Sequence, residues 1–150
     1  MIRAWQSFRR NERGAVLVEA AFVAPILVLL GLGAFQVSKA VARQHELQTG
    51  ADDAASMALA GWKDESAQVD ALKSVLKSTL VLGDSQVTIT HKYRCGVTAS
   101  YVDAKTSCAS TDIVTTYLRI ALTDTYTPTW AKFGFGSPLN LVVTRTVVLS

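Results

Sequence analysis

The sequence predicts an α+β protein: a long N-terminal helix, transmembrane in its first half, packed on a small antiparallel sheet of about three strands, with a second short helix. Three observations predict it. Residues 15–35 contain one charged residue and are otherwise apolar or small. A helical pattern then continues to about residue 62 and resumes after it. The remainder alternates with period two in three runs bounded by turn residues.

The 150 residues suffice for one domain. At 49% hydrophobic and 18% charged, the composition is too apolar for a disordered chain and points to a segment in lipid. The net charge of +3 suggests nucleic acid until the charges are located. Arg3, Arg9, Arg10 and Arg13 against Glu12 supply all of it, and residues 15–150 balance eleven bases against eleven acids. Basic residues ahead of an apolar run hold an N-terminus in the cytoplasm. A nucleic-acid footprint needs a basic face on the folded domain, and no run of Lys or Arg supplies one, so no nucleic-acid partner is expected.

At helical rise the stretch 15–35 reaches about 30 Å, the thickness of a bilayer core. A cleaved secretory signal has a shorter core and a small-x-small exit. Gly31-Leu32-Gly33 and Ser38-Lys39-Ala40 are poor exits. A retained single-pass anchor is therefore expected, with membrane lipid around it. Pro25 removes one backbone donor inside the run and is expected to kink the helix. Glu19 is the informative residue: an acid within a membrane segment costs about 3 kcal/mol and usually finds a partner or stays protonated. No base lies within the helix to pair with it. The plain alternative is that Glu19, one turn inside, reaches the interface.

Arg13-Gly14-Ala15-Val16-Leu17-Val18-Glu19, followed by an apolar run, resembles the class III signal peptide of type IV pilins and pseudopilins. More narrowly, RGAVLVEAAFVAPILVLL is similar to the N-terminus of TadE/TadF-like minor pilins of the tight-adherence (Flp) pilus system. The resemblance is strongest over residues 10–37 and extends weakly to about 62. It implies cleavage between Gly14 and Ala15 by a prepilin peptidase, with Glu19 five residues past the cut. It also implies a pilin-like fold, no cofactor, and as partners other pilins and an inner-membrane assembly platform. Many type IV pilins have Phe after the cut; Ala15 departs from that and favours the Tad branch. After cleavage, a neighbour's N-terminal amine could pair with Glu19 in low dielectric. Three parts follow: a leader over 1–14, a transmembrane half-helix over 15–37, and an extracytoplasmic domain over 38–150.

Beyond the span, Val37, Ala40, Leu47, Ala51, Ala54, Ala58 and Trp62 fit an apolar helix face, and Gly61 suits a helix stop. Asp64-Glu65-Ser66 opens the second helix, which runs to about Leu80 with Val69, Leu72, Val75, Leu76 and Leu80 as its stripe. The strands are expected over 86–94, 113–126 and 139–149. Cys95 and Cys108 flank the first strand connection. An even pair in an exported domain points to one disulfide; in a reducing compartment both would be free thiols. The aromatic stretch 125–138 reads as a loop folded over the sheet end or, alternatively, as a partner-binding loop.

No catalytic constellation is present. His45 and His91 fall in different elements, no Cys/His cluster has ligand spacing, and Asp52-Asp53 reads as a solvated helix face. Phosphate-loop, nucleophile-elbow and dinucleotide motifs are not found. The expectation is a non-enzymatic minor pilin or pseudopilin supporting pilus biogenesis, adhesion or secretion. The rivals are a type II secretion or competence-type minor pilin, an uncleaved anchored periplasmic binding or sensor domain, and last an anchored enzyme.

Overall fold

The computed structural model describes residues 12–61, 66–97, 100–134 and 136–149. Trp62, Asp64, Glu65, Phe135 and most of the leader lie outside these. The order is helix α1 (Glu12–Gly61), helix α2 (Ser66–Leu80), then strands β1 (Val87–Cys95), β2 (Val114–Tyr126) and β3 (Leu139–Val148). It is the expected α+β arrangement. By contacts the chain divides into two compact units, Met1–Lys39 and Ala40–Ser150.

In the first unit α1 is apolar and most of its described side chains are exposed, with Gln36 buried. Pro25 lies inside the helix without ending it. A proline removes one donor, and the turns on either side carry the helix past it.

The second unit holds the core. The strands form one sheet in the order β1-β2-β3, with both pairs antiparallel. Ile89 lies opposite Ile120, and Leu122 lies opposite both Val87 and Val143. Side chains alternate across a strand, so Val87, Leu118, Ile120, Leu122 and Val143 share one buried face. Each such side chain contributes roughly 1.5–3 kcal/mol when fully buried. The helices cover this face with Leu47, Ala51, Ala54 and Ala58 from α1 and Leu72, Leu76 and Leu80 from α2. Alanines favour helix and let backbones approach closely. Gly50 carries the principle furthest: a Cβ there would meet Leu80 Cδ1 at 2.7 Å.

Two expected core positions face out instead. Val37 is 58% and Val75 45% exposed. The α2 stripe follows the i, i+4 series Leu72, Leu76, Leu80, and Val75 is turned one position, about 100°, off it. Val81 ends α2 with φ 54, and the Leu82 N–H donates to the Lys77 carbonyl at 3.0 Å. This is the 6→1 closure that glycine usually serves. The helix therefore stops before Gly83, and Leu82 is buried just beyond it.

The β2–β3 connection folds on itself. Pro128 is fully buried, Thr129–Phe133 form a 3₁₀ turn, and a Cβ on Gly136 would meet Trp130 Nε1 at 3.1 Å. Trp130 is half-buried.

Candidate functional site: the apolar helix and the outer face of the sheet

The apolar part of α1 is built from residues whose burial away from water is favourable. Within Val16–Gly61 the helix is long and apolar enough to cross a membrane, and none of its most apolar window is buried. Leu17, Phe22 and Leu29 are 71%, 73% and 69% exposed. An uncovered apolar surface of this extent fits a single-pass membrane anchor. Gly14 and Glu19 are exposed on this helix, and a Cβ at Gly14 would meet nothing within 4 Å. Ala15 lies in the same helical stretch. Gly14, Ala15, Glu19 and Pro25 thus lie along one helix, with Glu19 about 7.5 Å along the axis from Gly14 at helical rise.

Cys95 and Cys108 are brought together. They form a disulfide with Cα atoms 5.4 Å apart across a sequence separation of 13. The closed loop runs beside β1, where Tyr93 exchanges backbone hydrogen bonds with Val102 at 2.9 and 2.8 Å. This bridge covers part of an edge strand that would otherwise present unpaired backbone groups.

A polar hub was not foreseen from the sequence. The Arg43 Nε of α1 donates to Asp124 Oδ2 of β2 at 2.7 Å. Its two terminal nitrogens donate to Glu46 Oε2 at 2.9 Å and to the Leu80 carbonyl at 2.8 Å. That carbonyl lies in the last turn of α2, where intrahelical donors run out. Asp124 Oδ1 also accepts from Gln86 Nε2 at 2.9 Å and from the Thr125 N–H at 2.8 Å. Burial pushes the Asp124 carboxyl up, but these donors and the Arg43 charge outweigh it and hold the group below its ordinary value. On the other side of α1, Arg145 of β3 forms a bidentate pair with Asp52. Asp52 therefore serves a helix–strand ion pair.

The outer face of the sheet, turned away from the helices, also differs from expectation. The sequence has no run of basic residues past the leader, yet strand pairing gathers three. Thr90 lies opposite Arg119, Lys92 opposite Tyr117, and Arg94 opposite Thr115. On the other side of β2, Arg119 lies opposite Thr146 and Ala121 opposite Thr144. Lys92 pairs with Asp103 of the disulfide loop. Tyr101 stands edge-on to Tyr117 at 5.1 Å. Lys92, Tyr101, Arg119, Thr144 and Thr146 line a shallow hollow of about 440 Å³. The alternation in β1 foreshadows part of this row; placing Arg119 beside it requires the register.

Among the described residues, no group of three or more His, Cys, Asp or Glu is placed to hold a metal ion. His45 is exposed and His91 half-buried, on separate elements.

Residues 14–56 match the family model described as TadE-like protein. Neither the curated proteins nor the solved structures gave a match. The matched stretch begins at Gly14, contains Glu19 and Pro25, and ends among the alanines that cover the sheet. Over residues 14–56, less than a third of its length, the chain is thus similar to the TadE-like family, and that likeness suggests involvement in a Tad pilus system.

Proposed function

We propose that this chain is a minor pilin of a Tad-type pilus, anchored by α1 in the inner membrane and working by assembly. The observation that carries the reading is the uncovered apolar surface of α1, interrupted by Glu19, within the stretch that matches the TadE-like family. Prepilin peptidase cuts between Gly14 and Ala15 on the cytoplasmic side, which removes all four leader arginines. The new amine at Ala15 and the Glu19 carboxylate of a neighbouring subunit then form a charge-assisted pair in low dielectric. That pair offsets the roughly 3 kcal/mol penalty of a membrane acid and sets the register between subunits. Pro25 loosens the helix where neighbours pack against it. The C-terminal domain lies outside the cytoplasmic membrane, where an oxidising compartment suits the Cys95–Cys108 bond.

N-terminal sequencing of the protein from its native host tests this. A mature start at Ala15, lost in Gly14→Leu or without prepilin peptidase, is the expected result. An intact Met1, or a start near residues 35–41, overturns it and leaves an uncut or signal-processed anchor. Glu19→Gln is expected to be processed and to fail in assembly with other pilins. Normal assembly of that variant would remove the role assigned to the acid.

A further inference from the structure

The outer face of the sheet combines features that point to a ligand class. Arg119 stands exposed at the centre of the middle strand and makes no ion pair among the described residues. Its guanidinium carries five donors in a fork that matches a carboxylate. The Lys92 ammonium has three donors and is paired with Asp103. Thr144 and Thr146 complete one wall of the hollow, and Tyr101, 52% exposed and braced edge-on by Tyr117, forms the other. We propose that this hollow binds an acidic polysaccharide, with Arg119 taking a uronate carboxylate and the threonine hydroxyls and Tyr101 taking the sugar.

The chemistry of the wall selects this ligand over a nucleic acid. Threonine hydroxyls both donate and accept, and sugar hydroxyls do the same, whereas phosphate oxygens only accept. Nucleic-acid binding draws on many phosphate contacts and a basic field. Here residues 15–150 carry no net charge and the hollow offers two cations, one of them already paired. A neutral glycan would leave the Arg119 fork unsatisfied. The inference rests on the outward placement of the domain proposed above. A binding assay on purified protein does not depend on processing or assembly, so the two readings fail separately.

The test uses the full chain in non-ionic detergent. The leader residues Arg3, Arg9, Arg10 and Arg13 are changed to Ser, so that the other cationic segment cannot bind the probe. The probe is immobilised oligogalacturonate, with neutral dextran and duplex DNA as comparisons. The expected result is binding to oligogalacturonate and not to dextran. Arg119→Ala weakens it at least tenfold, Thr144→Val with Thr146→Val weakens it severalfold, and Arg119→Lys restores part of it. Arg119 and both threonines are exposed, so these variants should melt with the parent, and comparison is made only among variants that do. Absence of binding to oligogalacturonate overturns the proposal, as does equal binding by Arg119→Ala. Tighter binding of duplex DNA through the same residues also overturns it, in favour of a phosphate polymer.

Discussion

Arg43 in α1 and Asp124 near the end of β2 are 81 residues apart in sequence, and their side chains meet at 2.7 Å. Around this contact converge the last turn of α2, through the Leu80 carbonyl, and the residue preceding β1, through Gln86. Two helices and the sheet are thus tied at one point by donors and acceptors that are largely covered.

Breaking this contact from either side should destabilise the domain more than an ordinary surface ion pair would. Arg43→Met leaves Asp124 with two donors and the Leu80 carbonyl with one fewer; Asp124→Asn leaves Arg43 facing a neutral group. Hydrogen bonds to charged groups contribute about 1.5–3 kcal/mol each, against 0–1 for exposed ion pairs. We expect a loss of about 2–3 kcal/mol for Arg43→Met and less for Asp124→Asn, measured by urea denaturation in detergent. A double-mutant cycle should give a coupling of at least about 1 kcal/mol. Additive single effects would show that the two side chains do not act as a pair.

The same contact makes stability depend on acid. The Asp124 pKa is lower in the folded chain than in the unfolded one. The unfolded state therefore binds more protons as pH falls through the ordinary carboxylate range. Its stabilisation is fully present above the unfolded value near 4 and is lost as pH drops through the depressed folded value. Thermal melts between pH 6 and pH 2 should fall more steeply for the parent than for Asp124→Asn. Parallel curves would assign the acid sensitivity to other carboxylates, of which Asp52 and Asp84 are also lowered by their hydrogen bonds to Arg145 and Lys77.

Val81 is β-branched, holds φ 54 and is 85% exposed. A non-glycine residue in this left-handed region costs roughly 1–3 kcal/mol, and glycine removes that strain at an unfolded-state entropy cost of about 0.4–1 kcal/mol. Val81→Gly is therefore expected to raise stability by about 1 kcal/mol, a shift of several degrees in melting temperature. A lower melting temperature would mean that the Val81 side chain contributes packing that its exposure conceals.

Replacing both Cys95 and Cys108 by Ser should lower stability by about 3 kcal/mol, the chain-entropy value for a loop of this length. The core strands should keep their amide-exchange protection, while the Tyr93–Val102 bridge should lose its own. Loss of protection throughout β1 and β2 would show that the bond holds the sheet as well as the loop.

Periodicity made much of the fold legible. Leu118, Ile120 and Leu122 are spaced by two and share the buried face; Leu72, Leu76 and Leu80 are spaced by four and share another. The apolar run and Glu19 were equally plain, because lipid-sized segments with one acid are rare. What could not be read depends on partners far along the chain. Gly50 looks like a weak point in a helix until Leu80 is found against it. Arg43 looks like any solvated helix residue until β2 delivers Asp124. Arg119 is an isolated base in sequence, and only the strand register sets it near Lys92 and Tyr101. The end of α2 at Leu80 agrees with the sequence reading; the sequence did not show that a valine takes the left-handed position there.

Tyr101, which lines one side of the hollow on the sheet, and Asp103, which pairs with Lys92 there, both lie between the two bonded cysteines. That side is consequently tethered by sulfur, while Arg119 and the threonines are fixed by the strands themselves. A reductant can slacken half of the surface and leave the other half standing. A newly made chain would then present a complete surface only once oxidation has caught up with folding.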